Sequence, residues 1–374
     1  MNASIGDIHW CSSCLTMSTR PRITFDARGR CNACVWSETK KSIDWDSRLK
    51  ELRSLLDKHR RTDGGFDCMV PVSGGKDGSY VAYNLKHKYG MNPLCLTVTP
   101  ALPLSLGDQN LRAFVESGYN HISINPDHEA MRQLNKTGFV EMGFPYYGWL
   151  IAIHTAVIRA ASSFGIGLIF YGEDGEVEYG GSTETSKKPI YDVNYQKKVY
   201  LEGGYEKVLK SSGLAESQLY FFRFPDDGEL KKNPIQLTHW SYFENWDPYR
   251  NYLIAKEHCG LKEAEDSNAG TFTNFSQNDQ ALYALHTYLM YLKFGFGRAN
   301  QDACIEVRRG AMDRQQAVNL VRLYDGHYPE EFMGQYLEYY QMTQSEFDAV
   351  LDRYANQALF EKANGRWKPK FTVS

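Results

Sequence analysis

Residues 70–80, VPVSGGKDGSY, bring together side chains suited to handling phosphate. Gly74 and Gly75 let the backbone approach an anion and take conformations closed to other residues. Ser73 and Ser79 can add hydroxyl donors, and Lys76 adds a mobile positive charge. Asp77 would repel a bare phosphate, so its useful role is to hold Mg2+ beside one. The stretch follows the apolar run FDCMVPVS (66–73) and opens a helical pattern. Free amides and the dipole at such a helix start favour an anion. The spacing is neither G-x-x-x-x-G-K-[ST] nor the dinucleotide fingerprint.

A second constellation lies near the N-terminus. Cys11, Cys14, Cys31 and Cys34 are spaced C-x2-C-x16-C-x2-C, the pattern of a four-thiolate Zn2+ site. Four thiolates leave no open coordination position, so the predicted zinc is structural. In so small a module, metal binding would supply much of the folding energy. Cys68, Cys95, Cys259 and Cys304 are scattered and read as core residues.

Further along, YGEDGEVEYGG (171–181) clusters Glu173, Asp174, Glu176 and Glu178. Carboxylates there could bind Mg2+, hold a sugar or take a proton. Lys293 and Arg298 flank a glycine break and could stabilise negative charge; Arg308 and Arg309 are of the same kind. Residues 180–189, GGSTETSKKP, read as a polar lid or a surface loop. The aromatic-rich 238–252 stretch reads as packing between domains or as a stacking surface. His286, beside a leucine stripe, reads as packed.

These residues need a scaffold, and the pattern supplies one. Apolar runs at 66–73, 92–100, 121–126 and 166–174 read as strands. Helical stripes alternate with them: Val81, Leu85 and Tyr89 form one, and 149–165 is a strongly apolar helix. The alternation predicts an α/β fold with a parallel sheet and helices on both faces. The loop would lie at the carboxyl edge of that sheet, where ligands bind. Leu282, Leu285, Leu289 and Leu292, and capping boxes at Asp313/Gln316 and Thr343/Glu346, make the last third helical. The expected division is a cysteine head (1–45), an α/β domain (46–260) and a helical C-terminal region (261–374).

A net charge of -3 over 374 residues gives no general attraction to nucleic acid. The stretch MNASIGDIHWCSSC has neither a basic nor an apolar run, so a secretory leader is not expected, and no run comes near the ~20 apolar residues that span a bilayer. The expectation is a cytoplasmic protein whose eight cysteines are thiols or metal ligands.

S-G-G-x-D-S after a first strand resembles the signature of the PP-loop ATP pyrophosphatases; here Gly78 follows the aspartate and the serine falls at Ser79. The stretches 11–34, 171–181, 288–310 and 320–326 together resemble one branch, the bacterial N-acetyl sugar amidotransferases of O-antigen and pseudaminic-acid-type glycan synthesis. The resemblance implies a PP-loop domain with an N-terminal zinc ribbon. It also implies ATP-dependent conversion of an acetamido group on a nucleotide-activated N-acetyl sugar to acetamidino, with AMP and pyrophosphate released. Ser73, Gly74, Gly75, Lys76, Asp77, Ser79 and Gly172 would bind ATP, with Asp77 on Mg2+. Lys76, Asp77, Glu173, Glu178, Lys293 and Arg298 would be catalytic. Glu173 and Glu178 match the motif and are preferred over Asp174 and Glu176. Residue 2 is Asn, not the cysteine of an N-terminal glutaminase, so ammonia is expected from a separate glutaminase partner. The rival expectations are a tRNA-modifying PP-loop enzyme and a non-catalytic, nucleotide-gated binding module.

Overall fold

The computed structural model describes residues 8–201 and 204–374; Asn2 lies outside them. Five strands form one all-parallel sheet: β1 (Cys68–Pro71), β2 (Pro93–Val98), β3 (Asn120–Ile124), β4 (Leu168–Tyr171) and β5 (Gln236–His239). Their order is β3-β2-β1-β4-β5. The chain winds outward from β1 to β3, then crosses back to β4. The strand order therefore reverses between β1 and β4, which opens a crevice at their carboxyl ends.

Side-chain alternation along the strands divides the interior in two. Cys68, Val70, Cys95, Leu168 and Phe170 face one core, and Met69, Leu94, Leu96, Ile169 and Leu237 face the other. The expected parallel α/β sheet is therefore present. Its fifth strand was not anticipated, because QLTH (236–239) is short and runs into the aromatic stretch.

Ahead of the sheet lie α1 (Asn32–Lys40) and α2 (Trp45–His59), the latter capped by Asp44. Next come α3 (Lys76–Tyr83), α4 (Ser105–Glu116), α5 (His128–Met142) and α6 (Tyr147–Ser163). α3 continues into a π-turn at Asn84–Lys88, and Gly90 closes it at φ +62°. α7 (Gly175–Tyr179), α8 (Val193–Tyr195), α9 (Tyr205–Ser211) and α10 (Asp227–Lys232) bridge β4 to β5. α11 (Trp240–Phe243) and α12 (Pro248–Cys259) follow; Asp247 caps α12 by accepting from the Tyr249 and Arg250 amides. Trp240 and Phe243 are buried, so the aromatic stretch is largely packing.

The C-terminal third holds α13 (Leu282–Phe294), α14 (Arg298–Arg309), α15 (Arg314–Tyr324), α16 (Met333–Tyr340) and α17 (Gln344–Tyr354). All four leucines of the stripe are fully buried, and both capping boxes form. His286 packs between the Phe144 and Tyr146 rings, and burial pushes it down to about 4, so it stays neutral. The chain does not end as helix: β6 (Phe360–Ala363) and β7 (Arg366–Pro369) form an antiparallel hairpin. Asn364 and Gly365 turn it, at φ +53° and +77°, the pairing that a two-residue hairpin turn demands.

The cysteine head packs directly on this helical region. Cys11, Cys14, Leu15, Cys31 and Cys34 share one cluster with Ala303, Cys304, Ala317 and Val318. Among the described residues no helix is long and apolar enough to cross a membrane.

Candidate active site at the sheet edge

The turn from β1 into α3 is built by close approach. Gly74 sits at φ +78°, and a Cβ there would lie 2.3 Å from the Leu111 amide nitrogen of α4. Gly75 is the N-cap of α3 and has no side-chain cap, so the helix-start amides face no internal acceptor from it. Gly78 lies against the strand it has just left; a Cβ would meet the Pro71 carbonyl at 2.8 Å. That contact explains why the residue after Asp77 is glycine. Ser79, one step on, turns inward. It is fully buried, its hydroxyl has no hydrogen-bond partner, and it lines no cavity at the loop. The expectation that its hydroxyl reaches a phosphate is corrected accordingly, because the helical turn after Gly78 directs that side chain into the core. Ser73 does line the loop cavity.

Asp77 accepts from the Asn251 side-chain amide of α12 at 3.2 Å and pairs with Lys76. Gly172 allows the turn after β4 to come in beside it: a Cβ on Gly172 would stand 3.2 Å from the Asp77 Cβ and 3.0 Å from the Trp246 ring. Glu173 thus reaches the loop. It accepts from the Tyr179 hydroxyl at 2.7 Å. Burial first, and the neighbouring Asp77 carboxylate second, push its pKa above the usual carboxylate range. Such crowding of two carboxylates favours a cation between them.

The other expected carboxylates separate. Glu178 faces the head, accepting from Trp36 Nε1 at 3.0 Å and pairing with Lys40 at 2.7 Å. Asp174 caps α7 through the Glu176 and Val177 amides and accepts from the buried Thr185 hydroxyl, which ties down the 180–189 segment. Glu176 pairs with Arg22 at 2.7 Å.

The two expected cations also divide. Arg298 opens α14 and points into the loop cavity, paired with Asp302 at 2.8 Å. Burial opposes its charge, but Asp302 outweighs it and holds the guanidinium ionised. Lys293 is displaced from the site. At the end of α13 it donates to the Met142 carbonyl at 3.0 Å and lies over the Tyr354 ring. A break of three residues, 295–297, between α13 and α14 was enough to send the two side chains apart.

Two cavities meet at the loop. A polar one of about 230 Å³ is lined by Lys76, Asp77, Glu173 and Arg298. An apolar one of about 210 Å³ is lined by Leu96, Val98, Trp149 and Ile153, at the carboxyl ends of β2 and the face of α6. Ser73, Gly78, Gly107 and Asp279 belong to both. Trp149 is fixed in place by its indole N–H, which donates to the Val98 carbonyl at 3.0 Å. Asp279 and Tyr283, which the sequence reading missed, close the polar cavity from the C-terminal third. Gly107 permits that closure: a Cβ there would lie 2.4 Å from the Asp279 Cα. Burial pushes the Asp279 carboxyl up to about 6. An acid flanked by amide side chains, QNDQ at 277–280, was the one local signal.

The four head cysteines gather as expected. Their sulfurs lie within 4.8 Å of one another, and all four residues are buried. Cys11–Cys34 and Cys14–Cys31 are each 3.7 Å apart. A tetrahedral ion with Zn–S bonds of about 2.3 Å requires sulfurs about 3.8 Å apart, so the donor set fits zinc in number, chemistry and spacing. The Ser13 and Cys31 amides donate to Cys11 Sγ and the Thr16 amide to Cys14 Sγ, as suits thiolate charge. Cys304, expected to be a core residue, is buried and lies beside this centre, 3.5 Å from Thr16 Oγ1.

An uncharacterised protein of Methanocaldococcus jannaschii is 30% identical over 89 residues, which is 24% of this chain and 32% of the relative's length. Residues 269–372 match the family model described as LPS biosynthesis protein WbpG-like, C-terminal domain. That span contains Asp279, Tyr283 and Arg298, the residues that close the loop cavity. The match supports a glycan-biosynthesis context for the chain.

Proposed function

We propose that the sheet-edge site binds ATP and uses it to activate an acetamido group of a nucleotide-linked N-acetyl sugar for amidination, as in a PP-loop amidotransferase. The observation that carries the reading is the paired cavity at the switch point. Its apolar half suits a base beside Trp149, and its polar half suits the phosphates beside Ser73, Gly75, Lys76 and Arg298. Asp77 would hold Mg2+, which would supply charge neutralisation at the phosphates. Zinc at the cysteine centre would be structural.

The chemistry requires this division of labour. An amide carbonyl is a poor electrophile, and its oxygen is a poor leaving group. In the proposed reaction that oxygen attacks the α-phosphorus and pyrophosphate departs. Ammonia then adds to the carbon, AMP leaves, and one surplus proton must go to a base. Glu173, with a raised pKa and a place in the cavity, suits that proton. Ammonia would come from a separate glutaminase.

The test is to incubate the protein with ATP, Mg2+, ammonium and a panel of N-acetylated nucleotide sugars, followed by mass spectrometry. The expected outcome is AMP, pyrophosphate and a sugar in which one oxygen has become NH. ATP cleavage stimulated by tRNA, with every sugar unchanged, would overturn the reading in favour of RNA modification.

A further inference from the structure

A third cavity, about 360 Å³, lies on the other side of Glu173, which lines it and the loop cavity alike. Its volume falls in the range of about 300–1,000 Å³ typical of small-molecule sites. Segments remote in sequence build it. The end of α1 brings Lys40 and Lys41, the end of α14 brings Arg308 and Arg309, and the turn before α12 brings Trp246.

The cations are not equally committed. Lys40 pairs with Glu178, and Arg309 with Glu306 at 2.6 Å. Arg308 faces no carboxylate: one of its amino groups lies 3.7 Å from Cys14 Sγ and the other 3.5 Å from the Glu178 carbonyl. Both contacts are long, and the guanidinium is aimed by the cysteine centre behind it. Trp246 is only 5% exposed, and its indole N–H has no partner. Glu173, Glu178 and Asp247 share the lining. A bare-anion site would exclude carboxylates, whereas a ligand bearing both phosphate and hydroxyl groups uses both kinds.

We infer that this cavity is the acceptor site and takes the phosphate-bearing part of a sugar nucleotide. Arg308 and Arg309 hold the phosphates, and the carboxylates accept from sugar hydroxyls. The sugar then points past Glu173 toward the loop cavity. The inference rests on the reading of the sheet edge as the ATP site, since it assigns the second reactant.

The test uses the full chain in isothermal titration calorimetry, with UDP as the probe and a non-hydrolysable ATP analogue pre-bound. UDP is expected to bind the wild type. Arg309→Ala and Arg308→Ala each raise its Kd at least about tenfold, while the ATP analogue's Kd moves less than twofold. Zinc content, measured on the same samples, stays at the wild-type value in Arg309→Ala, which separates lost binding from a damaged head. Absence of UDP binding overturns the inference. So does an unchanged UDP Kd in Arg309→Ala, or UDP binding that the ATP analogue abolishes. If the ATP analogue fails to bind but Arg309→Ala still loses UDP, the acceptor site stands and the ATP assignment falls.

Discussion

At the scale of single residues, the site depends on atoms that have no slack. Gly74 combines a positive φ with a neighbouring backbone 2.3 Å from where a Cβ would sit. Gly74→Ala is therefore expected to cost at least about 2 kcal/mol, read as a lower denaturation midpoint, and to lose ATP-analogue binding. Gly78→Ser would give the SGGxDS signature its serine directly after the aspartate. The Pro71 carbonyl at 2.8 Å leaves no room for its Cβ. It should destabilise by about 1–3 kcal/mol without tightening ATP-analogue binding; a tighter complex would show that the serine's place is vacant. Asp77→Asn should cut AMP formation at least about 100-fold while the protein's melting temperature stays near the wild type, because Asn can still meet the Asn251 amide.

Asp279 adds a pH dependence with a definite sign. Its pKa is raised in the fold to about 6, from about 3.9 in an unfolded chain. Between those values the folded state binds more protons than the unfolded one. The stability this group contributes is therefore fully present below about pH 4 and declines as pH rises to about 6. Melting temperature measured from pH 4 to 7 should fall less steeply in Asp279→Asn than in the wild type. Parallel curves would remove Asp279 as the titrating group.

At the scale of elements, the cysteine knuckles and α14 form one unit. Cys14, Cys31 and Cys304 share a cluster, and Arg308 reaches from α14 to Cys14. Zinc, once bound, would stabilise that helix and the head together. Elemental analysis should find about one zinc per chain, and Cys31→Ser should lose it and lower the melting temperature by at least about 4 °C. An unchanged melting curve in the zinc-free variant would show that the head folds on its core packing alone.

At the scale of the whole molecule, the polar loop cavity is shared between the first half of the chain and its last third. The loop supplies Lys76 and Asp77, the turn after β4 supplies Glu173, and the C-terminal region supplies Asp279, Tyr283 and Arg298. Arg298→Ala is expected to weaken ATP-analogue binding about tenfold, whereas Lys293→Ala, whose side chain contacts the Met142 carbonyl instead, should change it less than twofold. Equal losses in both variants would mean that the helix break, and not the guanidinium, matters.

What the sequence determined by itself is whatever depends on neighbours a few residues apart. The strand–turn–helix around Gly74, the paired cysteine knuckles, the leucine stripe of α13 and both capping boxes all follow from local spacing, and each is present. The Asn364-Gly365 hairpin was legible by the same logic but was masked by the helical pattern before it. Tertiary structure decided the rest, because burial and approach depend on contacts made across hundreds of residues. It turned Ser79 into the core, separated Arg298 from Lys293 and brought Asp279 to Gly107. It also set Arg308 between a cysteine sulfur and an open cavity, the two partners standing 294 positions apart in the sequence. No periodicity encodes such a meeting, since its energy is realised only when both cores have packed.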